Sequence, residues 1–228
     1  MIIMSDQVWP RDARGTARIS IGFLDGETSQ QQRVRTVSQE WEKACGAVKF
    51  VWGAPGNSDV RITFKSTDWY SKIGTDAKKV TNKSLPTMRL KWKNQANEMN
   101  RQILHEFGHV LGAEHEHCSP NFPYNWKKAP VTNYWKGIFK QWNPAWDDNR
   151  VTVETTKKFD NDIARRLSQR DHPHMVITPF DEHSIMLYYI KQAWLEKNPS
   201  FGRNPRDFPE NYGPSKVDKE TVNRVYRR

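Results

Sequence analysis

The stretch His105-Glu106-Phe107-Gly108-His109-Val110-Leu111-Gly112-Ala113-Glu114-His115 decides how the rest of this sequence is read. His105 and His109 are four residues apart. On an α-helix that is a turn of about 400°, so the imidazoles lie roughly 40° apart on one face and one turn apart along it. Both can reach a single zinc ion at about 2.0–2.1 Å. Glu106 is offset around the helix, where it can reach a water on the metal without being a ligand, as a general base must. His115 makes the pattern specific. In a continued helix it would sit about 15 Å along the axis from His105 and could not share the ion. The chain has to turn sharply, and Gly112 tolerates such a turn. Three neutral imidazoles then leave a fourth position open, which is the catalytic rather than the structural pattern of zinc.

The flanks support a helix. Met99, Ile103, Phe107, Val110 and Leu111 fall on one stripe, which predicts a helix from Asn97 closed by Gly112. Further upstream, residues 17 to 24 read as a strand, and Thr28 or Ser29 caps a helix running to about Cys45. Its apolar positions Val34, Val37, Trp41 and Ala44 recur at three- and four-residue steps. Val48 to Trp52 and Val60 to Phe64 read as strands, with weaker strand patterns at Trp69 to Thr75 and Thr87 to Trp92. Downstream the sequence is irregular and rich in Pro, Asn and Trp. Helices are predicted near Val131 to Trp142, Asp160 to Ser168 and Lys216 to Tyr226. Strand, helix and strands followed by an irregular half give a mixed α/β layer in one catalytic domain. Its lobes are expected at about 16–116 and 117–228, with the composition shift near residue 116 between them.

The composition bounds the partners. The chain has 228 residues, a formal net charge of +10, and 10 Trp and 10 Phe. Its mean hydropathy is −0.89. Low hydropathy and high charge point toward disorder, but the Trp and Phe supply the buried area of a folded core. A basic balance permits nucleic acid, anionic surfaces or acidic substrates. The cations are dispersed and form no run of the kind that reads as a nucleic-acid patch, so nucleic acid is not expected. No apolar stretch approaches the roughly 18 residues of a membrane span. The start, Met1 to Asp6, has too short an apolar run for a signal peptide, so the sequence reads as a leaderless, mature or trimmed form. Cys45 and Cys118 match no metal or CxxC spacing; they either form one bridge or are both small buried residues.

At this point the sequence resembles the metzincin clan of zinc endopeptidases. The match is HExxHxxGxxH at 105–115 and a downstream Ser184-Ile185-Met186-Leu187-Tyr188 that resembles the Met-turn. Glu116 follows the third histidine as in the astacin family, although Leu187 stands where astacins usually have His. The resemblance extends over residues 16 to about 190 and is weak over 120–175. It implies an α+β fold: a mixed twisted sheet, two long helices above a cleft, and an irregular, mainly helical lower lobe. It implies one catalytic zinc on His105, His109 and His115, with Glu106 as general base. Tyr188 matches the tyrosine that can ligate zinc at rest and swing to stabilise the oxyanion, and Met186 matches the floor beneath the metal. The resemblance further implies that an extended substrate adds along an edge strand, expected here within Thr87 to Trp92. A pocket on the leaving-group side is expected around Tyr189 to Trp194, where Lys191 points to acidic residues. In astacins the glutamate after the third histidine pairs with the mature N-terminus. Met1 lies about 15 residues before the first expected strand, so Glu116 is expected to have a different partner.

The remaining candidates are bland. His117 reads as a surface or structural residue before it reads as a support of the site. His172, His174 and His183 read as loop histidines. Asp147-Asp148-Asn149 and Asp160-Asn161-Asp162 lack the Gly and terminal Glu of a calcium loop and read as turns or caps. The expectation is a monomeric, secreted zinc endopeptidase acting on protein or peptide. The alternatives are a zinc-holding pseudoprotease or binding module, and a delivered toxin or effector protease that cuts one host protein.

Overall fold

The computed structural model describes residues 1–142, 144–153 and 174–227. Strand β1 (Ile2–Met4) opens the chain and β2 (Ala17–Phe23) follows. Helix α1 (Thr28–Ala44) then leads to β3 (Val48–Trp52), β4 (Val60–Thr63), β5 (Trp69–Ser71) and β6 (Met88–Leu90). Glu27, not Thr28 or Ser29, is the N-cap of α1, and its main-chain N–H donates to the side chain of Gln30 at 2.9 Å. A residue with the reach to close a capping box wins the position from the hydroxyls after it.

These strands make one five-stranded sheet in the order β3-β2-β4-β6-β5. The first four run parallel and β5 is antiparallel to β6. The strand expected at the edge, within Thr87 to Trp92, is β6 and lies inside; the edge is β5. Pairing in sequence order gave no hint of this, because β5 precedes β6 in the chain yet lies beyond it in the sheet.

Helix α2 (Ala96–Val110) carries the first two histidines and is buried from Arg101 to Val110. It packs on α1, and the Trp41 indole N–H donates to the carbonyl of Leu104 at 2.9 Å. The second half contributes β7 (Ala113–Glu114), β8 (Tyr124–Trp126), α3 (Lys128–Trp142), β9 (Met175–Ile177), β10 (Leu195–Lys197) and α4 (Lys216–Tyr226). The predicted helix at 160–168, with the oxygen-rich run at 160–162 and His172, lies outside the described residues.

Two apolar clusters hold the fold. The larger joins the sheet, α1 and α2, and takes in both ends of the chain: Met1, Ile3, Val222 and Tyr226 belong to it. The smaller collects Phe122, Tyr124, Leu187, Ile190, Trp194 and Phe208 under the irregular half. Strand β1 is therefore an integral element, paired with β7 on one side and β9 on the other. Its residues Met1, Ile2 and Ile3 have no exposed surface. Each such side chain stabilises by roughly 1.5–3 kcal/mol on burial. Cys45 and Cys118 are both buried and unbridged.

Candidate metal centre and active-site cleft

The end of α2 builds the site. Gly112 has φ +92°, a left-handed conformation that stops the helix. The last carbonyls of the helix are met by distant aromatic donors. The Trp9 indole donates to Val110 at 2.7 Å, and the Tyr226 hydroxyl donates to Leu111 at 3.2 Å. Beyond the turn, β7 pairs with β1, and the Met4 N–H donates to the Gly112 carbonyl at 2.9 Å. The chain is thus folded back, and His115 comes to face His109.

The three histidines converge. Their ligand atoms all lie within 4.8 Å of one another, and Nε2 of His109 is 3.1 Å from Nε2 of His115. Donors sharing a tetrahedral zinc at its usual bond lengths stand about 3.3 Å apart, so the separation suits a common ion. The tautomers suit one too. Nδ1–H of His105 donates to the Ile185 carbonyl and Nδ1–H of His109 to the Ala113 carbonyl, each at 2.8 Å. A carbonyl can only accept, so Nε2 of each ring carries the lone pair a metal needs. Burial, and then the neighbouring His109, hold His105 well below the ordinary histidine value, which favours the neutral ring that a metal would need.

Glu106 and Tyr188 stand at the same centre. Glu106 is almost fully buried and lines the cleft with His105, His117 and Tyr188. The Tyr188 ring centre is 4.4 Å from that of His115 and 5.7 Å from that of His105. His117, read from the sequence as a surface or structural residue, is buried beside them. Its ring lies 4.9 Å from Tyr188 and edge-on to Trp126 at 5.9 Å. The cleft itself is about 1440 Å³ and runs from β5 and β6 across α2 to α3.

One methionine of the second half is held against a glycine of α2. Met186 has no exposed surface. A Cβ on Gly108 would fall 2.4 Å from its Sδ. A mid-helix glycine costs about 1 kcal/mol against alanine, and here it makes room for that sulfur. The turn carrying Met186 is tied to the last helix. The Asp218 carboxylate accepts from the Ser184 hydroxyl at 2.7 Å, from Ile185 N–H at 2.8 Å and from Ser215 N–H at 3.0 Å. Asp218 was not singled out from the sequence. Its signal is the capping box that it forms with Ser215 at the start of α4.

The expectation for Glu116 is corrected. One carboxylate oxygen lies 2.7 Å from the Met1 ammonium, both groups fully buried, and the other accepts the Asp181 N–H at 2.9 Å. Burial pushes the Glu116 carboxyl up to about 7, against the pull of that ammonium. The sequence reading failed because it treated the first 15 residues as a lead-in to the sheet. They instead carry β1, which inserts the terminus between β7 and β9.

The other candidates disperse. Tyr189 and Trp194 line the cleft, whereas Lys191 lines a separate hollow with Lys127 and Asp207. His174 and His183 are exposed. Asp147 accepts from Arg150 N–H at 2.7 Å, as a helix cap does. Among the described residues no helix is long and apolar enough to cross a membrane.

No protein-family model matches this chain, and no curated protein matches it. Solved structures do. One of myroilysin aligns over 100% of this chain and 99% of its own with 25% identity and a TM-score of 0.77. A second of myroilysin aligns over 97% and 86% with 26% identity and a TM-score of 0.63. High choriolytic enzyme 1, a hatching enzyme zinc-protease of the medaka fish Oryzias latipes, aligns over 97% and 95% with 16% identity and a TM-score of 0.59, a likeness of fold. In its histidine string, the turn with its buried methionine and its fold, the chain is similar to the astacin-like metzincin zinc metalloproteases.

Proposed function

We propose that the chain is an endopeptidase, one catalytic domain that hydrolyses internal peptide bonds of protein substrates. The observation that carries this is the convergence of three histidine donors within 4.8 Å of one another, one of which, His105, lines a cleft together with Glu106 and Tyr188. The hatching enzyme that shares the fold is itself a zinc-protease.

His105, His109 and His115 would hold one zinc, which when bound supplies Lewis acidity and lowers the pKa of a water toward neutrality. Glu106 takes the proton from the attacking water and later returns it to the leaving amine. Its burial keeps that proton from leaking to solvent and strengthens every polar interaction around it. The Tyr188 phenol donates a hydrogen bond to the carbonyl oxygen as negative charge builds there. It acts most strongly in the transition state, so its loss should appear in kcat. His117 and Trp126 wall the cleft beside Tyr188 and limit the positions its ring can take. The substrate main chain lies extended along β5, whose outer edge is unpaired among the described residues.

The test is cleavage of casein and of a mixed peptide library by the purified protein, with metal analysis, before and after a chelator. Activity lost on chelation and restored by one equivalent of zinc supports the reading. A full zinc complement with no cleavage of either substrate would leave a zinc-holding binding module instead.

A further inference from the structure

The string His115-Glu116-His117-Cys118 carries two groups to which the peptidase mechanism gives no chemistry, the His117 imidazole and the Cys118 thiol. The Cys118 N–H donates to the His115 carbonyl at 3.0 Å, which closes a tight turn and brings the two ends of the string together. One donor atom from each of His115, His117 and Cys118 lies within 4.8 Å of the others. The His115 and His117 rings are 18° from parallel, with centres 5.3 Å apart. The turn is anchored through the residue between the two histidines. Glu116 N–H donates to the Met186 carbonyl at 3.0 Å, and its carboxylate lies 2.7 Å from the Met1 ammonium. The Ser119 N–H donates to the Glu116 carbonyl at 3.0 Å. The three donors are thus set by the fold before any ion arrives, as a metal site requires.

The set differs in chemistry from the three histidines. A thiolate is a soft ligand, and beside two imidazoles it favours a thiophilic cation over a hard one. Thiolate and imidazole donors on one tetrahedral ion stand about 3.3–3.6 Å apart, so side-chain movements of about an ångström close the set. Cys118 is 1% exposed and His117 6%, and a dry surrounding strengthens the attraction between thiolate and cation. His117 also lines the cleft, which gives an ion its way in. The other cysteine serves as the contrast. Cys45 is buried in the main apolar cluster and belongs to no such donor group among the described residues.

We propose that His115, His117 and Cys118 form a second metal site, selective for a soft cation such as cadmium or copper(I), and that it alternates with the zinc set. The link is His115, which belongs to both donor groups. A neutral imidazole has one nitrogen lone pair, so its ring serves one ion at a time. A cation entering this site forms a bond to Cys118 Sγ, and the thiol proton it displaces goes to solvent. The same cation takes His115 from the first set. His105 and His109 alone then hold zinc weakly, and zinc leaves. Loss of peptide cleavage follows from that exchange; this last consequence rests on the peptidase reading, whereas the site and the exchange do not.

The probe is cadmium, whose bond to a thiolate gives an ultraviolet charge-transfer band that histidine ligation does not. Zinc-loaded protein is equilibrated with rising cadmium, the band is recorded, and both metals are counted after dialysis. The expected result is a band that saturates as cadmium replaces zinc one for one, with casein cleavage lost in step. Cys118→Ala should abolish the band and Cys45→Ala should keep it. His117→Ala should raise the cadmium needed for half of the band at least about tenfold. Circular dichroism checks the fold of each variant, and Cys118→Ser replaces Cys118→Ala if the alanine variant does not fold. No cadmium uptake, uptake without a band, a band that survives loss of the Cys118 thiol, or a band that grows while zinc is fully retained would overturn the proposal. If the zinc-loaded protein cleaves no casein at the outset, the peptidase reading fails, and the band and the zinc count still decide the site.

Discussion

The Asp218 carboxylate accepts a 2.8 Å hydrogen bond from Ile185 N–H, and the Ile185 carbonyl accepts Nδ1–H of His105 at the same distance. The last helix thus reaches His105, the first of the three converging histidines, through the main chain of one residue. Bonds of this kind fix both ring orientation and tautomer.

Replacing Asp218 by Ala should loosen that chain of contacts. Removing the acceptor of two buried donors and a part-buried one should cost about 3 kcal/mol of stability. Zinc affinity should fall roughly 10- to 100-fold. Urea unfolding of the zinc-free protein and competition with a chromogenic chelator read the two effects separately. Unchanged zinc affinity would show that Asp218 holds the fold and not the ligand.

Gly108→Ala sets helix propensity against packing. Alanine should gain about 1 kcal/mol as a helix former. The methyl group would meet the Met186 sulfur, and overpacking of a buried contact costs about 1–3 kcal/mol. A net loss is expected, and Gly108→Ala should cost less in the Met186→Ala background, itself destabilised by its cavity, than in wild type. Thermal unfolding of the two single variants and the double variant measures the coupling; additive effects would mean that the contact carries no strain.

Tyr188→Phe should lower kcat by about 100-fold and leave KM within a few-fold, because the lost hydrogen bond is made to charge that develops only in the transition state. A rise in KM at unchanged kcat would make Tyr188 a substrate-binding residue.

Glu210 gives a pH prediction. Burial raises its carboxyl above the ordinary 4.5, with Arg101 pulling the other way. The folded value lies above the unfolded one. Its contribution to stability is therefore full below the unfolded value and is lost as pH rises through the folded one. Relative to wild type, Glu210→Gln should gain stability between pH 4.5 and neutrality. Chemical denaturation across that window tests the sign.

How much was legible follows from where the information lies. The helix of the first two histidines, the need to turn at Gly112 and the arrival of His115 are local, and 3.6-residue spacing exposes them. Strands β2, β3 and β4 were likewise visible as apolar runs. The failures are non-local. Strand β1 has three residues, too few to show a period, and it is fixed only by pairing with β7 and β9. The pairing of Met1 with Glu116 joins residues about half the chain apart, so no window contains both. The order of β5 and β6 is a property of the sheet and not of either strand. His117 looked bland because its role comes from neighbours at Trp126 and Tyr188 that only folding supplies.

The central claim is that Glu106 moves the proton while the three histidines hold the metal. Glu106→Gln separates those roles, since the amide keeps the shape and loses the base. The measurement is casein cleavage by this variant and by wild type, each with its zinc content determined on the same sample. The account predicts one zinc per chain in both and a turnover at least about 1000-fold lower in the variant. A zinc-loaded variant that cleaves within about tenfold of wild type would contradict it.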